Sequence, residues 1–188
     1  IALHNGGGTV TSGGGAVSLS GNAGPGSSYS SGVVLIGSTV GQTADALPVV
    51  GGGGDVAGVT ITGVADASST GVGNSGVSID YGTTVTAMGD GALTIEGTGS
   101  AAGNGFGVHL DRGTAVSAEA GTVEITGVAG GAGGGNIGIT VEVGSSVTTT
   151  TGDISLTGTG GGAGTGRFNH GIALHNGGGS VTSTSGSI

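Results

Sequence analysis

The chain has 188 residues, of which 51 are glycine, with no cysteine, a formal net charge of −9 and only Arg112 and Arg167 as fixed cations. Two arginines cannot neutralise a run of phosphates, so nucleic acid and anionic membrane surfaces are poor partners. The absence of cysteine excludes disulfides and thiolate metal sites.

Repeats organise the rest. Taken in chain order, apolar alternation of period two marks short half-buried strands, and glycines between them mark turns. A first strand recurs at Ile1/Leu3, Val33/Leu35, Val77/Ile79, Val108/Leu110, Ile139/Val141 and Ile172/Leu174. A second recurs at Val10, Val40, Val85, Val116, Val147 and Val181. A third recurs at Val17/Leu19, Val59/Ile61, Leu93/Ile95, Val123/Ile125 and Ile154/Leu156, with Ile188 beginning another. Gly32, Gly76, Gly107, Gly138 and Gly171 open the repeats, and the central spacing is 31 residues. The coils are read as 1–31, 32–75, 76–106, 107–137, 138–170 and an incomplete 171–188.

Helical spacing is absent, and glycine costs a helix about 1 kcal/mol per residue. One repeat cannot bury its own apolar face, but stacked repeats can. The sequence therefore predicts an all-β chain: a parallel β-solenoid of about six coils, right-handed by the default of parallel crossovers. Residues 1–188 read as one solenoid segment of a longer array. The near-identity of Ile1–Ser12 and Ile172–Ser183, 171 residues apart, points to a higher-order repeat. No signal-peptide pattern and no run of about 20 apolar residues is present.

The second coil is longer by an expected insertion at Gly41–Val56, a loop around Pro48. It is either a tolerated surface insertion or an interaction loop using Asp45, Leu47, Pro48 and Asp55. The Gly-rich tails before each restart form a fourth side or a flattened lobe. Tyr29, Phe106, Ile137 and Phe168 end these tails and are expected to make a small apolar stack.

The pattern GVxLxxGxxVxAxxGxLxIxGTG, clearest at Gly76–Gly99, resembles the repeats of filamentous-haemagglutinin-like exoproteins and autotransporter passenger domains. That resemblance implies a secreted, elongated β-helix on a bacterial surface, used in adhesion, biofilm or fibre structure. The period of 31 residues is longer than in haemagglutinin-type coils, and no translocator domain is in view.

Alignment of the first strands puts His4, Ile36, Asp80, Asp111, Glu142 and His175 in one outward row. Asp80, Asp111 and Glu142 are candidate ligands for Ca²⁺, which would relieve their repulsion. The alternative is a solvated outer row with Arg112 nearby and His175 beside Glu142. His4, His109, His170 and His175 form no zinc motif. Thr84-Val85-Thr86 and its copies give an outward hydroxyl array of the kind ice-binding solenoids show, interrupted by Ala115-Val116-Ser117. Asp80, Asp111 and Arg112 are the only close set that a polysaccharide-cleaving solenoid could use, and no enzyme is expected. The expected partners are further coils of the same chain or identical subunits stacked head to tail, with cell-surface glycans or proteins as adhesive targets.

Overall fold

The computed structural model describes residues 1–3, 8–12, 16–26, 28–37, 49–52, 58–101, 105–131, 133–162 and 166–188. It is a parallel β-solenoid, and no helix occurs among the described residues. Each turn supplies up to three strands. The first turn holds β1 (Ala2–Leu3), β2 (Val10–Ser12) and β3 (Val17–Asn22). The second holds β4 (Val33–Ile36), β5 (Val49–Gly52) and β6 (Val59–Val64). The third holds β7 (Val77–Asp80), β8 (Thr84–Ala87) and β9 (Leu93–Thr98). The fourth holds β10 (Phe106–Leu110), β11 (Ala115–Ala118) and β12 (Val123–Val128). The fifth holds β13 (Ile137–Glu142), β14 (Ser146–Thr149) and β15 (Ile154–Thr159), and a sixth begins with β16 (Ile172–His175) and β17 (Ser180–Ser183).

Every strand pairs with its copy one turn away. Sheets of six, six and five parallel strands result, in the orders β1-β4-β7-β10-β13-β16, β2-β5-β8-β11-β14-β17 and β3-β6-β9-β12-β15. The register is the one the repeats dictate: Val77 faces Val108, Val108 faces Ile139, and Ile139 faces Ile172. Aliphatic side chains therefore stack in columns. Val33, Ile61, Ile79, Leu93, Ile95, Val108, Leu110, Ile125 and Ile139 are wholly enclosed. Each such burial stabilises the fold by roughly 1.5–3 kcal/mol.

The restart glycines have a packing cause. Where the third sheet ends and the first begins, two backbones touch. A Cβ on Gly127 would lie 2.0 Å from the carbonyl oxygen of Gly138, and the same crossing recurs at Gly63/Gly76, Gly97/Gly107 and Gly158/Gly171. Only glycine permits that approach, so the spacing of glycine pairs fixes this edge of every turn.

Two expectations are corrected. Val40, the expected second strand of coil two, lies outside the described residues, and the described second strand of that coil is β5. Val50 holds that place, facing Val10 and Val85. The expected loop at Gly41–Val56 thus contains strand β5, and the added length precedes it: twelve residues separate Ile36 from Val49, against three between Asp80 and Thr84. The GGGG run misled because glycine has low strand propensity, whereas the existing ladders of β2 and β8 recruit it. Asp45, Leu47, Pro48 and Asp55 lie outside the described residues, as does His4.

The expected aromatic stack also does not form. Phe106 faces Ile137 in register, and Ile137 is buried. Tyr29 and Phe168 are 77% and 70% exposed. They occupy a different position, four residues before the first inward residue of the next strand, at φ 56° and 64°. Gly73 and Gly135 sit at the equivalent sites, with φ 72° and 77°.

Candidate functional site

The turns leaving β7, β10 and β13 shape the site. Tyr81 and Gly82 have φ of 52° and 69°, Arg112 and Gly113 47° and 76°, and Val143 and Gly144 48° and 74°. Two successive left-handed residues are the mark of a type I′ turn. The closing bonds run from Thr83 N to Asp80 O at 3.4 Å, Thr114 N to Asp111 O at 3.3 Å, and Ser145 N to Glu142 O at 3.1 Å. The Thr114 hydroxyl, fully enclosed, donates to Asp111 O at 2.8 Å or to Ile79 O of the turn below at 3.0 Å. The corner is thereby tied to its neighbour. The acidic residue before each corner is placed in one column, and the left-handed residue after it projects alongside.

Asp80, Asp111 and Glu142 do form the row the alignment predicted, since Ile79, Leu110 and Val141 are register partners. The row is not solvated. The three residues are only 9%, 6% and 7% exposed, because neighbouring turns are close above and below. Their charges are matched within the chain. Arg112 Nη1 lies 2.7 Å from Asp80 Oδ2 and 3.0 Å from Asp111 Oδ2, and its guanidinium sits 4.6 Å above the Tyr81 ring. Asp80 Oδ1 also accepts from Tyr81 N at 2.6 Å, and Asp111 Oδ1 from Arg112 N at 2.7 Å. Asp80, and after it Asp111, raise the Arg112 pKa above its ordinary value.

Glu142 is held differently. His109 Nε2 lies 3.0 Å from one carboxylate oxygen and His175 Nδ1 3.6 Å from the other, which also accepts from the Asn176 amide. The His109 hydrogen bond holds the Glu142 pKa below the ordinary glutamate range, and burial opposes it. His109 stacks on Phe106 with ring centres 4.5 Å apart. Among the described residues no group of three or more His, Asp or Glu is arranged to hold a metal ion. His170 lies apart from this cluster, edge-on to Phe168 with ring centres 6.4 Å apart.

A groove of about 510 Å³ opens beside Asp80 and Asp111 on the outer face of the first sheet. The outward row Ala2, Val34, Ser78 and His109 lines one part, and Ile36, Asp80, Asp111 and Arg112 the corner. Tyr29, Ser31, Gly73, Ser75 and Phe106, from segments entering the strands, line the other part. The groove joins an aliphatic floor, aromatic rings and carboxylates in one concavity.

The hydroxyl array of the second sheet is present but broken. Thr84 faces Ala115 and then Ser146, and Thr86 bonds Ser117 at 3.1 Å. In coil two Val49 and Gly51 take these places.

Sequence reasoning missed the asparagines. Asn74 Oδ1 accepts from Ser30 N at 2.9 Å, Asn136 Oδ1 from Gly105 N at 3.2 Å, and Asn169 Oδ1 from Asn136 N at 3.0 Å. Each amide nitrogen turns back to Gly71, Gly133 or Gly166 three residues earlier. These bonds fasten the Gly-rich tails turn to turn and hold one wall of the groove. The signal was available: G-x-x-N-x-G recurs at 71–76, 133–138 and 166–171.

Comparison with known protein families, characterised proteins and solved structures gave no match.

Proposed function

We propose that this chain is a structural and adhesive solenoid, a stiff segment of an extracellular stalk or filament on a bacterial surface. The observation that carries the reading is the unbroken register of three parallel sheets. Such stacked hydrogen bonds over an aliphatic core make a rod whose length grows with turn number. Ile172 and Leu174 of the sixth turn are exposed, in register with the enclosed Ile139 and Val141. Partners of matching surface are further turns of the same kind, in the same chain or in an identical subunit stacked head to tail. The resemblance to haemagglutinin-type and autotransporter repeats supports the surface location.

The test is electron microscopy of the chain at neutral pH, with and without EDTA. Rods with a strand repeat near ~4.8 Å are expected in both conditions. Discrete particles would sink the filament reading. Dissolution by EDTA would assign the acidic row to Ca²⁺, a reading less favoured because Arg112, His109 and His175 already face those carboxylates.

A further inference from the structure

We infer that the groove between Tyr29, Phe106 and the Asp80–Asp111 corner binds a neutral saccharide. The inference deepens the adhesive part of the proposed function and rests on it for its biological use. Its volume of about 510 Å³ falls in the range of small-molecule sites, about 300–1,000 Å³.

The lining selects the ligand class. Tyr29 is largely exposed, and Phe106 is half-buried against His109. These rings, with Val34 and Ile36, offer apolar faces suited to the C–H face of a sugar ring. Asp80 and Asp111 are more than nine-tenths buried, and each is already held rigid by a backbone N–H and by Arg112. Carboxylates so fixed are preorganised acceptors for hydroxyl donors, and hydrogen bonds to an ionised acceptor are about twice as strong as neutral ones. Ser78, half-buried in the same lining, adds a neutral donor and acceptor.

Charge decides against the rivals. Two carboxylates in the lining repel uronic, sialylated or sulfated sugars. A cationic amine would compete with Arg112, whose Nη1 already spans both carboxylates at 2.7 and 3.0 Å. A neutral polyol leaves that bridge intact and gains both the rings and the acceptors. The Asn74 and Asn136 bonds fasten the tails that carry Tyr29 and Phe106, which form one wall of the groove.

The experiment is saturation-transfer NMR and calorimetry on the full 188-residue chain. The probes are maltose, lactose and cellobiose, with sialyllactose as the acidic and choline as the cationic comparison. At least one neutral disaccharide is expected to bind with Kd of about 1 mM or tighter, with transfer to its ring C–H protons. Tyr29→Asn removes the ring and suits the left-handed backbone there, so it leaves the fold intact. It is expected to weaken binding about tenfold, worth about 1.4 kcal/mol. Asp111→Asn weakens binding as well, and Phe168→Asn, an exposed ring outside the groove, leaves it unchanged. Three outcomes overturn the inference: no neutral sugar binds, choline or sialyllactose binds more tightly, or Tyr29→Asn and Asp111→Asn both leave binding intact. Rods that bind no sugar overturn this inference alone, and discrete particles that bind sugar overturn only the filament reading.

Discussion

Arg112 sits between two nearly buried carboxylates from successive turns, so its loss would leave like charges facing each other. Replacing it by alanine would also strain a backbone held at φ 47°. Arg112→Asn separates the two effects, because asparagine accepts the left-handed region. The variant is expected to lower the urea midpoint, by less than loss of a fully buried pair would because the Arg112 side chain is half exposed. Adding Asp80→Asn and Asp111→Asn should recover much of the decrease. An unchanged urea midpoint for Arg112→Asn would show that the bridge contributes nothing. Glu142 gives a pH dependence of defined sign. Its pKa is depressed by the His109 bond, with smaller contributions from Asn176 and His175. A depressed carboxylate stabilises the fold above its unfolded value, about 4.3 for glutamate, and that contribution is lost as pH falls through the lower folded value. Denaturant midpoints between about pH 6 and pH 3 should therefore fall less steeply for Glu142→Gln than for the parent chain. Equal slopes would remove Glu142 from the account of acid sensitivity.

At the scale of the element, two kinds of glycine do different work. Gly113 follows Arg112 in the corner turn at φ 76°, and a Cβ there would meet no atom within 4 Å. Gly113→Ala is thus expected to cost only the backbone term, roughly 1–2 kcal/mol. A Cβ on Gly127 would press on a backbone carbonyl at 2.0 Å. That carbonyl belongs to the adjoining strand, so relief requires opening the edge of a turn. Gly127→Ala should be the more damaging by thermal melting, and the reverse order would mean that the turns separate easily at this edge. The core columns were legible in the sequence because inward Val, Ile and Leu alternate within each strand. Strand β5 was not, since Val49–Gly52 carries little apolar signal of its own. Its place is dictated by Val10 and Val85 on either side.

For the whole molecule, the proposed head-to-tail stacking can be tested at the sixth turn. Ile172 and Leu174 are exposed there although their register partners Ile139 and Val141 are enclosed. Leu174→Asp combined with Ile172→Asp should convert rods to discrete particles in electron microscopy while leaving the far-ultraviolet β signature unchanged. Rods that persist in the double variant would place the contact elsewhere. In the proposed filament, the net charge of −9 would oppose lateral association of rods.

The sequence by itself determined the period, the three strands of the regular turn, the inward columns and the alignment of Asp80, Asp111 and Glu142. All of these follow from local alternation and from glycines that recur at fixed spacing. The tertiary structure alone decided what those carboxylates meet and that a groove lies beside them. Arg112 reaches Asp80 across 32 residues, and His109 reaches Glu142 across 33. Such pairings depend on a left-handed corner that aims side chains between turns, on asparagines that fasten the tails, and on how deeply stacked turns bury an outward row. Alternation encodes which face of a strand a side chain takes. It does not encode how far the next turn covers that face.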